Sequence, residues 1–408
     1  MQRVFPFPVA VAGVGDAKVP AAIRTGERIY LSGANALHAE GSEIPADPAA
    51  QTHLALDQLE AALKAAGGSL ANITKLTTCI VDRGYRAAVY TVIAERLQGV
   101  KPVSTGLVVA GLPSPDLIVQ IDAEAAIPAN SPAYVRPYRY ESWYGQGFAW
   151  DGAMVLATET ELFVRGQTGG ALDHSGLPCP GRSLEAAAEH ARAGMANLGT
   201  LLEEAGSGFD DVCRINVYIA DRAYRPVIYP EIGKAFGDVH PVSTGIVTTA
   251  FAREDILWEI DVVAIRKVNG KPHERQRKYH SGTAKYGTGT QALDCRFCMI
   301  AQAGDRIFLR GQTGMGLDEK LYGTGDVVAQ TRQAVTNVET LLEEANAGLD
   351  DVAKAVIYVT ESDFVAPVNK AILERFGAQI PALTTVVVKG LASPELLMEI
   401  DITAINKH

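Results

Sequence analysis

The sequence predicts an α+β protein built from three tandem copies of one domain plan, each a mixed sheet with two helices on one face. Three observations predict it. Short motifs recur at a near-constant spacing of about 140 residues: Leu201-Leu202-Glu203-Glu204-Ala205 returns from Leu341 to Ala345, and Arg165-Gly166-Gln167-Thr168-Gly169 from Arg310 to Gly314. Pro102-Val103-Ser104-Thr105-Gly106 returns from Pro241 to Gly245, with a looser copy at Pro381-Ala382-Leu383-Thr384-Thr385. Each proline leads toward a strand ending in an acid: Gln120-Ile121-Asp122, Glu259-Ile260-Asp261 and Glu399-Ile400-Asp401. A period this long is the size of a whole domain and far above solenoid repeats.

The second repeat shows the plan most clearly. Leu162 to Arg165 reads as a strand running into the Gly166-Gln167-Thr168-Gly169 turn, followed by a polar loop through Pro180. Ser183 is a candidate N-cap for a helix to about Ala205, whose apolar residues Ala187, Ala191, Met195, Leu198 and Leu202 share one face. Gly206 and Gly208 stop it. Val212 to Ile219 is β-rich, Tyr229 to Phe236 reads as a second helix, and Val242–Ala250 and Ile256–Ile265 as closing strands.

The third repeat places helices at Val327–Ala345 and Val365–Phe376, with strands at Val352–Val359, Leu383–Lys389 and Leu396–Ile405. The first places helices at Pro48–Ala66 and Arg86–Leu97, with strands at Ile73–Val81, Ser104–Ala110 and Leu117–Ile127. The order is β–β–α–β–α–β–β, with domains expected at 1–130, 131–270 and 271–408. Each helix hides one apolar stripe on the sheet. The other sheet face needs a cover, which three copies around a pseudo-threefold axis would supply. The tyrosine- and tryptophan-rich link from Pro128 to Gly147 and the basic link from Val268 to Gln291 are each expected to add a strand or lid to the following repeat.

Composition narrows the function. A net charge of −10 argues against nucleic-acid and anionic-membrane partners, which select for lysine and arginine. The basic run from Lys267 to Lys278 reads as a solvated linker. No secretory signal is visible at Met1–Pro6, and no apolar run is long enough to span a bilayer. Five scattered cysteines suit a reducing compartment, and a cytoplasmic location is expected. Cys295-x-x-Cys298 lacks a second pair, and the eight histidines lack metal spacing, so neither a metal nor an organic cofactor is expected. Gly287 to Gly289 is not followed by the residues of a phosphate loop.

The ordered set of motifs resembles the Rid family: a strand into Ser/Arg-Gly-Gln, a helix, Asp-Asp-Val and a strand, a Pro-x-x-Ser/Thr strand, then Glu-Ile-Asp. These are reactive-intermediate (enamine/imine) deaminases related to endoribonuclease L-PSP. The resemblance implies a chorismate-mutase-like fold in each repeat and a fused pseudo-trimeric barrel. It also implies clefts between repeats that act on small nitrogen-containing metabolites. Further homo-oligomerisation stays open. The family's carboxylate-clamping arginine would fall at Ser104, Ser243 and Leu383, and a family glutamate at Asp122, Asp261 and Asp401. Deamination of 2-iminopropionate is therefore not expected to match that of an ordinary member. A ribonuclease role is not expected for so acidic a chain.

Arg165 and Arg310 each end an apolar strand at a glycine turn, where a guanidinium can reach a cleft and grip a carboxylate. They are candidate substrate-binding residues or salt-bridge partners of the Glu-Ile-Asp acids. Ser32 takes their place in the first repeat, where Ala34 replaces Gln167 and Gln312. Ser32, Ser104, Ser243, Gln167 and Gln312 join the substrate-binding candidates. The hydroxyls of Ser104, Thr105, Ser243 and Thr244 otherwise read as strand packing, since no base recurs beside them. Asp122, Asp261 and Asp401 are candidate catalytic acids that orient water, or structural partners of the equivalent Lys75, Arg214 and Lys354. Glu124, present only in the first repeat, is a further catalytic candidate. The expected function is hydrolysis or deamination of a small anionic metabolite. The alternative is a non-catalytic small-molecule-binding or regulatory protein.

Overall fold

The computed structural model describes residues 1–9, 11, 19–37, 43–127, 134–139, 151–173, 175–280, 293 and 295–406. The first repeat comprises β1 (Gln2–Val4), β2 (Ala22–Thr25), β3 (Arg28–Leu31), α1 (Pro48–Ala65), β4 (Ile73–Ile80), α2 (Arg86–Arg96), β5 (Val103–Val108) and β6 (Val119–Ala126). The second comprises β7 (Tyr134–Arg139), β8 (Asp151–Ala157), β9 (Glu161–Gln167), α3 (Leu184–Glu204), β10 (Val212–Ile219), α4 (Arg225–Phe236), β11 (Val242–Val247) and β12 (Trp258–Ile265). In the third, β13 (Glu274–Gln276), β14 (Tyr279–His280), β15 (Arg296–Phe297), β16 (Ile300–Ala303), β17 (Arg306–Leu309) and β18 (Gln312–Thr313) precede α5 (Val327–Glu344). β19 (Val352–Val359), α6 (Val365–Phe376), β20 (Ala382–Val387) and β21 (Met398–Ile405) complete it.

The sheets have orders β1-β2-β3-β6-β4-β5, β11-β10-β12-β9-β8-β7 and β13-β16-β17-β21-β19-β20. The last strand of each repeat runs antiparallel between the early hairpin and the strand that follows the long helix. The Pro-x-x-Ser/Thr strand adds in parallel at the edge. The links do contribute strands: β7 pairs with β8, and β13 with β16. The basic link is tied down, since Arg275 donates to the carbonyls of His240 and Val212 and Arg277 pairs with Glu344. The expectations for Tyr140, Trp143, Tyr144 and Gly287 to Gly289 lie outside the described residues.

Local chemistry explains the helices. The Ser183 hydroxyl accepts from Ala186 N at 3.0 Å, capping α3 as expected. The apolar stripe from Ala187 to Leu202 is buried on the sheet. At Gly194 a Cβ would collide with the Trp258 ring, so glycine lets α3 approach β12 closely. α4 begins at Arg225, a turn earlier than its apolar pattern suggested. The Asp221 carboxylate caps the preceding turn and Pro226 fits the first helical turn, so two local signals extend the helix. Cys295 and Cys298 are buried thiols that are not joined in a disulfide. Among the described residues no helix is long and apolar enough to cross a membrane.

Equivalent faces of the three repeats meet cyclically. The sheets stay separate, and among the described residues they do not join into one closed barrel. They touch through isolated bridges, Val108 with Ala250, Gly111 with Val387 and Val247 with Gly390. Side chains add to this backbone closure. Lys75 pairs with Asp261, Arg214 Nη1 with Asp401 at 3.0 Å, and Lys354 Nζ with Asp122 at 2.5 Å. The same aspartates accept from Thr105 at 2.8 Å, from Thr244 at 3.1 Å and from Thr384. Each cation thus reaches the acid of the next repeat, and the third reaches back to the first. At a further equivalent position Arg28 and Arg306 both grip Glu161.

Candidate functional site

Alternation along β12 and β21 sets the two acids of each Glu-Ile-Asp on one face. Ile260 and Ile400 point to the helices, while the acids face the neighbouring repeat. The second acid of each segment is taken up by the cation ring. The first, Glu259 or Glu399, is buried in the junction between two repeats, where the clefts were expected.

Glu259 lies over Gly166, where a Cβ would collide with its carboxyl, and Glu399 lies over Gly311 in the same way. This is why glycine follows Arg165 and Arg310 at the end of the hairpin strand. The opposite wall comes from the preceding repeat. In the first cleft Arg86 and Tyr90 of α2 cross over Gly106, with the Arg86 guanidinium 4.2 Å from the Tyr90 ring centroid. In the second, Arg225 and Tyr229 of α4 cross over Gly245, with Arg225 4.5 Å from the Tyr229 ring. Arg225 Nη1 also donates to the Tyr229 hydroxyl at 3.2 Å. Each glutamate therefore has an arginine of its own repeat on one side and an arginine of the neighbouring repeat on the other. An aromatic group extends the second cleft: Phe297 stacks edge-on to Tyr229 at 6.2 Å, and Arg310 lies 5.5 Å from the Tyr279 ring.

Burial pushes the Glu259 carboxyl up to about 7, against the opposing pull of Arg165 and Arg86. Burial likewise raises Glu399 to about 7, while Arg310 and Arg225 oppose it. The nearby Asp261 and Asp401 push in the same direction as burial, since a second negative charge disfavours ionisation. A carboxyl near neutrality can both give and take a proton at physiological pH.

The seam between the third and first repeats replaces this whole set. Gln120 stands for the glutamate, Ser32 for Arg165 and Arg310, Val365 for Arg86 and Arg225, Asn369 for the tyrosine and Thr385 for the glycine. Neutral hydrogen bonds knit it together. Gln120 Nε2 donates to Thr385 O at 3.0 Å, and Asn35 Nδ2 donates to Gln120 Oε1 at 3.0 Å. Thr385 Oγ1 donates to Asn369 Oδ1 at 2.8 Å, and Leu383 N donates to Ser32 Oγ at 2.9 Å.

The candidates from the sequence fall in two places. Arg165 and Arg310 border the clefts beside Glu259 and Glu399. Gln167 and Gln312 turn back onto the carbonyls of Arg165 and Arg310, each at 2.7 Å. Ser104 and Ser243 are buried on the edge strands, and the Ser243 carbonyl accepts from Gly311 N at 3.3 Å. Asp122, Asp261 and Asp401 belong to the ring of ion pairs, and Glu124 lies 4.0 Å from Arg214. Asp122, Asp401 and Glu124 border an axial cavity shared by all three repeats. Arg86, Arg225, Tyr90 and Tyr229 were not singled out in the sequence, and Glu259 and Glu399 entered only among the Glu-Ile-Asp acids that Arg165 and Arg310 could pair with. The signal was there: Asp82-Arg83-Gly84-Tyr85-Arg86 and Tyr90 recur as Asp221-Arg222-Ala223-Tyr224-Arg225 and Tyr229, and only the third repeat departs.

Three tandem α+β repeats closed cyclically define a pseudo-trimer in one polypeptide. Residues 17–127 and 291–406 match the Endoribonuclease L-PSP family, and the chain belongs to it. A RutC family protein of Pyrococcus abyssi is 32% identical over 108 residues, which are 26% of this chain and 84% of that protein. A 2-iminobutanoate/2-iminopropanoate deaminase of Dermatophagoides farinae is 30% identical over 95 residues, 23% of this chain and 74% of that one. A chorismatase crystal structure covers 82% of this chain and 93% of its own, with a TM-score of 0.53. Its 15% identity makes this a likeness of fold alone.

Proposed function

We propose that the protein hydrolyses or deaminates a small, anionic, nitrogen-containing metabolite in two inter-repeat clefts. Glu259 and Glu399 serve as the acid–base groups, and Arg165, Arg86, Arg310 and Arg225 bind the anion. The observation that carries this reading is the concerted change at the third seam. Five positions that are charged, aromatic or glycine in both clefts all change together there, as expected of residues that form one working unit. A pKa near 7 suits general acid–base catalysis at neutral pH. The likeness to a 2-iminobutanoate/2-iminopropanoate deaminase supports imine hydrolysis as the first chemistry to try. In this reading the three aspartates hold the ring together, and water is oriented by the glutamates.

The test is release of ammonia from imines of small keto acids generated in situ, comparing the wild type with E259Q/E399Q. Turnover is expected in the wild type and lost in the double variant, with the fold retained by circular dichroism. Turnover that persists in the double variant refutes the acid–base assignment. A ligand that stabilises both proteins without turnover supports the binding-protein alternative.

A further inference from the structure

Tyr229 is 2% exposed, and its hydroxyl accepts a hydrogen bond from Arg225. Accepting from the guanidinium turns its own proton away from Arg225. Among the described residues that proton has no acceptor, although a buried hydroxyl normally finds one. The hydroxyl stands over Gly245, whose N–H faces the Glu399 carboxyl. Glu399 in turn lies on Gly311, next to Arg310. The cleft thus has two cationic poles with a proton-exchanging carboxyl between them, and one pole carries an extra donor that no described residue accepts from.

We propose that Tyr229 donates to the bound ligand and that Arg225 and Tyr229 together form a second oxygen-binding pole opposite Arg310. The ligand class is then a small molecule with two separated acidic oxygen groups, held on either side of Glu399, rather than a monocarboxylate. Tyr90 and Arg86 repeat the arrangement over Gly106 beside Glu259. Burial raises the Tyr229 hydroxyl above its ordinary range, so it stays protonated and acts as a donor. This inference rests on the proposed clefts and specifies what they take.

Calorimetry on the full chain with fumarate and crotonate tests it, since the two share a four-carbon skeleton and differ by one carboxylate. Fumarate is expected to bind two sites at least about tenfold more tightly than crotonate, the gain of one charge-assisted pole. R225M is expected to leave one tight fumarate site. Y229F, a milder change that keeps the ring packing, is expected to weaken one of the two fumarate sites about tenfold. Equal affinity for the two probes, no fumarate binding into the millimolar range, or two unchanged sites in both variants would overturn the inference. Loss of turnover in E259Q/E399Q together with equal probe affinities would remove only the second pole and leave the acid–base reading standing.

Discussion

Replacing Glu259 and Glu399 by glutamine should stabilise the protein, and only at neutral and alkaline pH. Each carboxyl is buried and raised from the ordinary 4.5 to about 7. The sign follows from proton binding. Between about pH 4.5 and 7 the folded state holds a proton that the unfolded chain has released, so stability falls as pH rises. The penalty is absent below about 4.5 and complete above about 7, where it reaches on the order of 3 kcal/mol per glutamate. Glutamine removes the charge and keeps the shape, and Gln120 shows that an amide fits the equivalent place with both its ends bonded. Urea unfolding of E259Q/E399Q and wild type, followed at about pH 5 and about pH 8, measures the difference. The variant should gain several kcal/mol over the wild type at the higher pH and little at the lower. An equal difference at both values, or a variant less stable at about pH 8, would show that the glutamates are not held neutral by the fold.

Other outcomes follow from the same geometry. K354M leaves the half-buried Asp122 without its cation and should cost about 3 kcal/mol in urea unfolding, most of it recovered in K354M/D122L. Q120E places a carboxyl at the neutral seam, where neither arginine is present, and should destabilise the chain increasingly as pH rises above about 4.5, without adding turnover. The pH profile of turnover should inflect near about 7, where Glu259 and Glu399 titrate, and that inflection should vanish in E259Q/E399Q. R165M/R310M should abolish the thermal shift given by an anionic ligand, as measured by scanning fluorimetry, while leaving the unliganded fold intact.

The repeated framework was legible because repetition is a property of sequence. Local signals such as Ser183 as a cap and the stripe from Ala187 to Leu202 could be read directly. The pairing of Asp122, Asp261 and Asp401 with Lys354, Lys75 and Arg214 was one of two open readings, and nothing local said that each pair would cross between repeats. The clefts were harder to see. Apart from Tyr90 and Tyr229, the helices that carry Arg86 and Arg225 are ordinary packing, and these residues meet Glu259 and Glu399 only across an interface between repeats. Within Glu-Ile-Asp, both acids share a face, so alternation alone cannot say which meets the ring and which meets the cleft. That distinction depends on the docking of the next repeat.

The neutral seam has a topological meaning. Repeats one and two, and repeats two and three, are sequence neighbours, whereas repeats three and one are not. A short covalent tether keeps two surfaces at high effective concentration, so a tethered junction can tolerate buried guanidinia and a half-ionised carboxyl that weaken it. The remaining junction closes the ring with no tether of its own, and it is there that every charged cleft residue has become neutral, as apolar Val365 or as the hydrogen-bonded Gln120 and Ser32. In a circular permutant with joined original ends and new ends at one of the links, an untethered junction would carry the charged set instead. Such a ring should open more readily, most of all above about pH 7, where the buried carboxyl ionises.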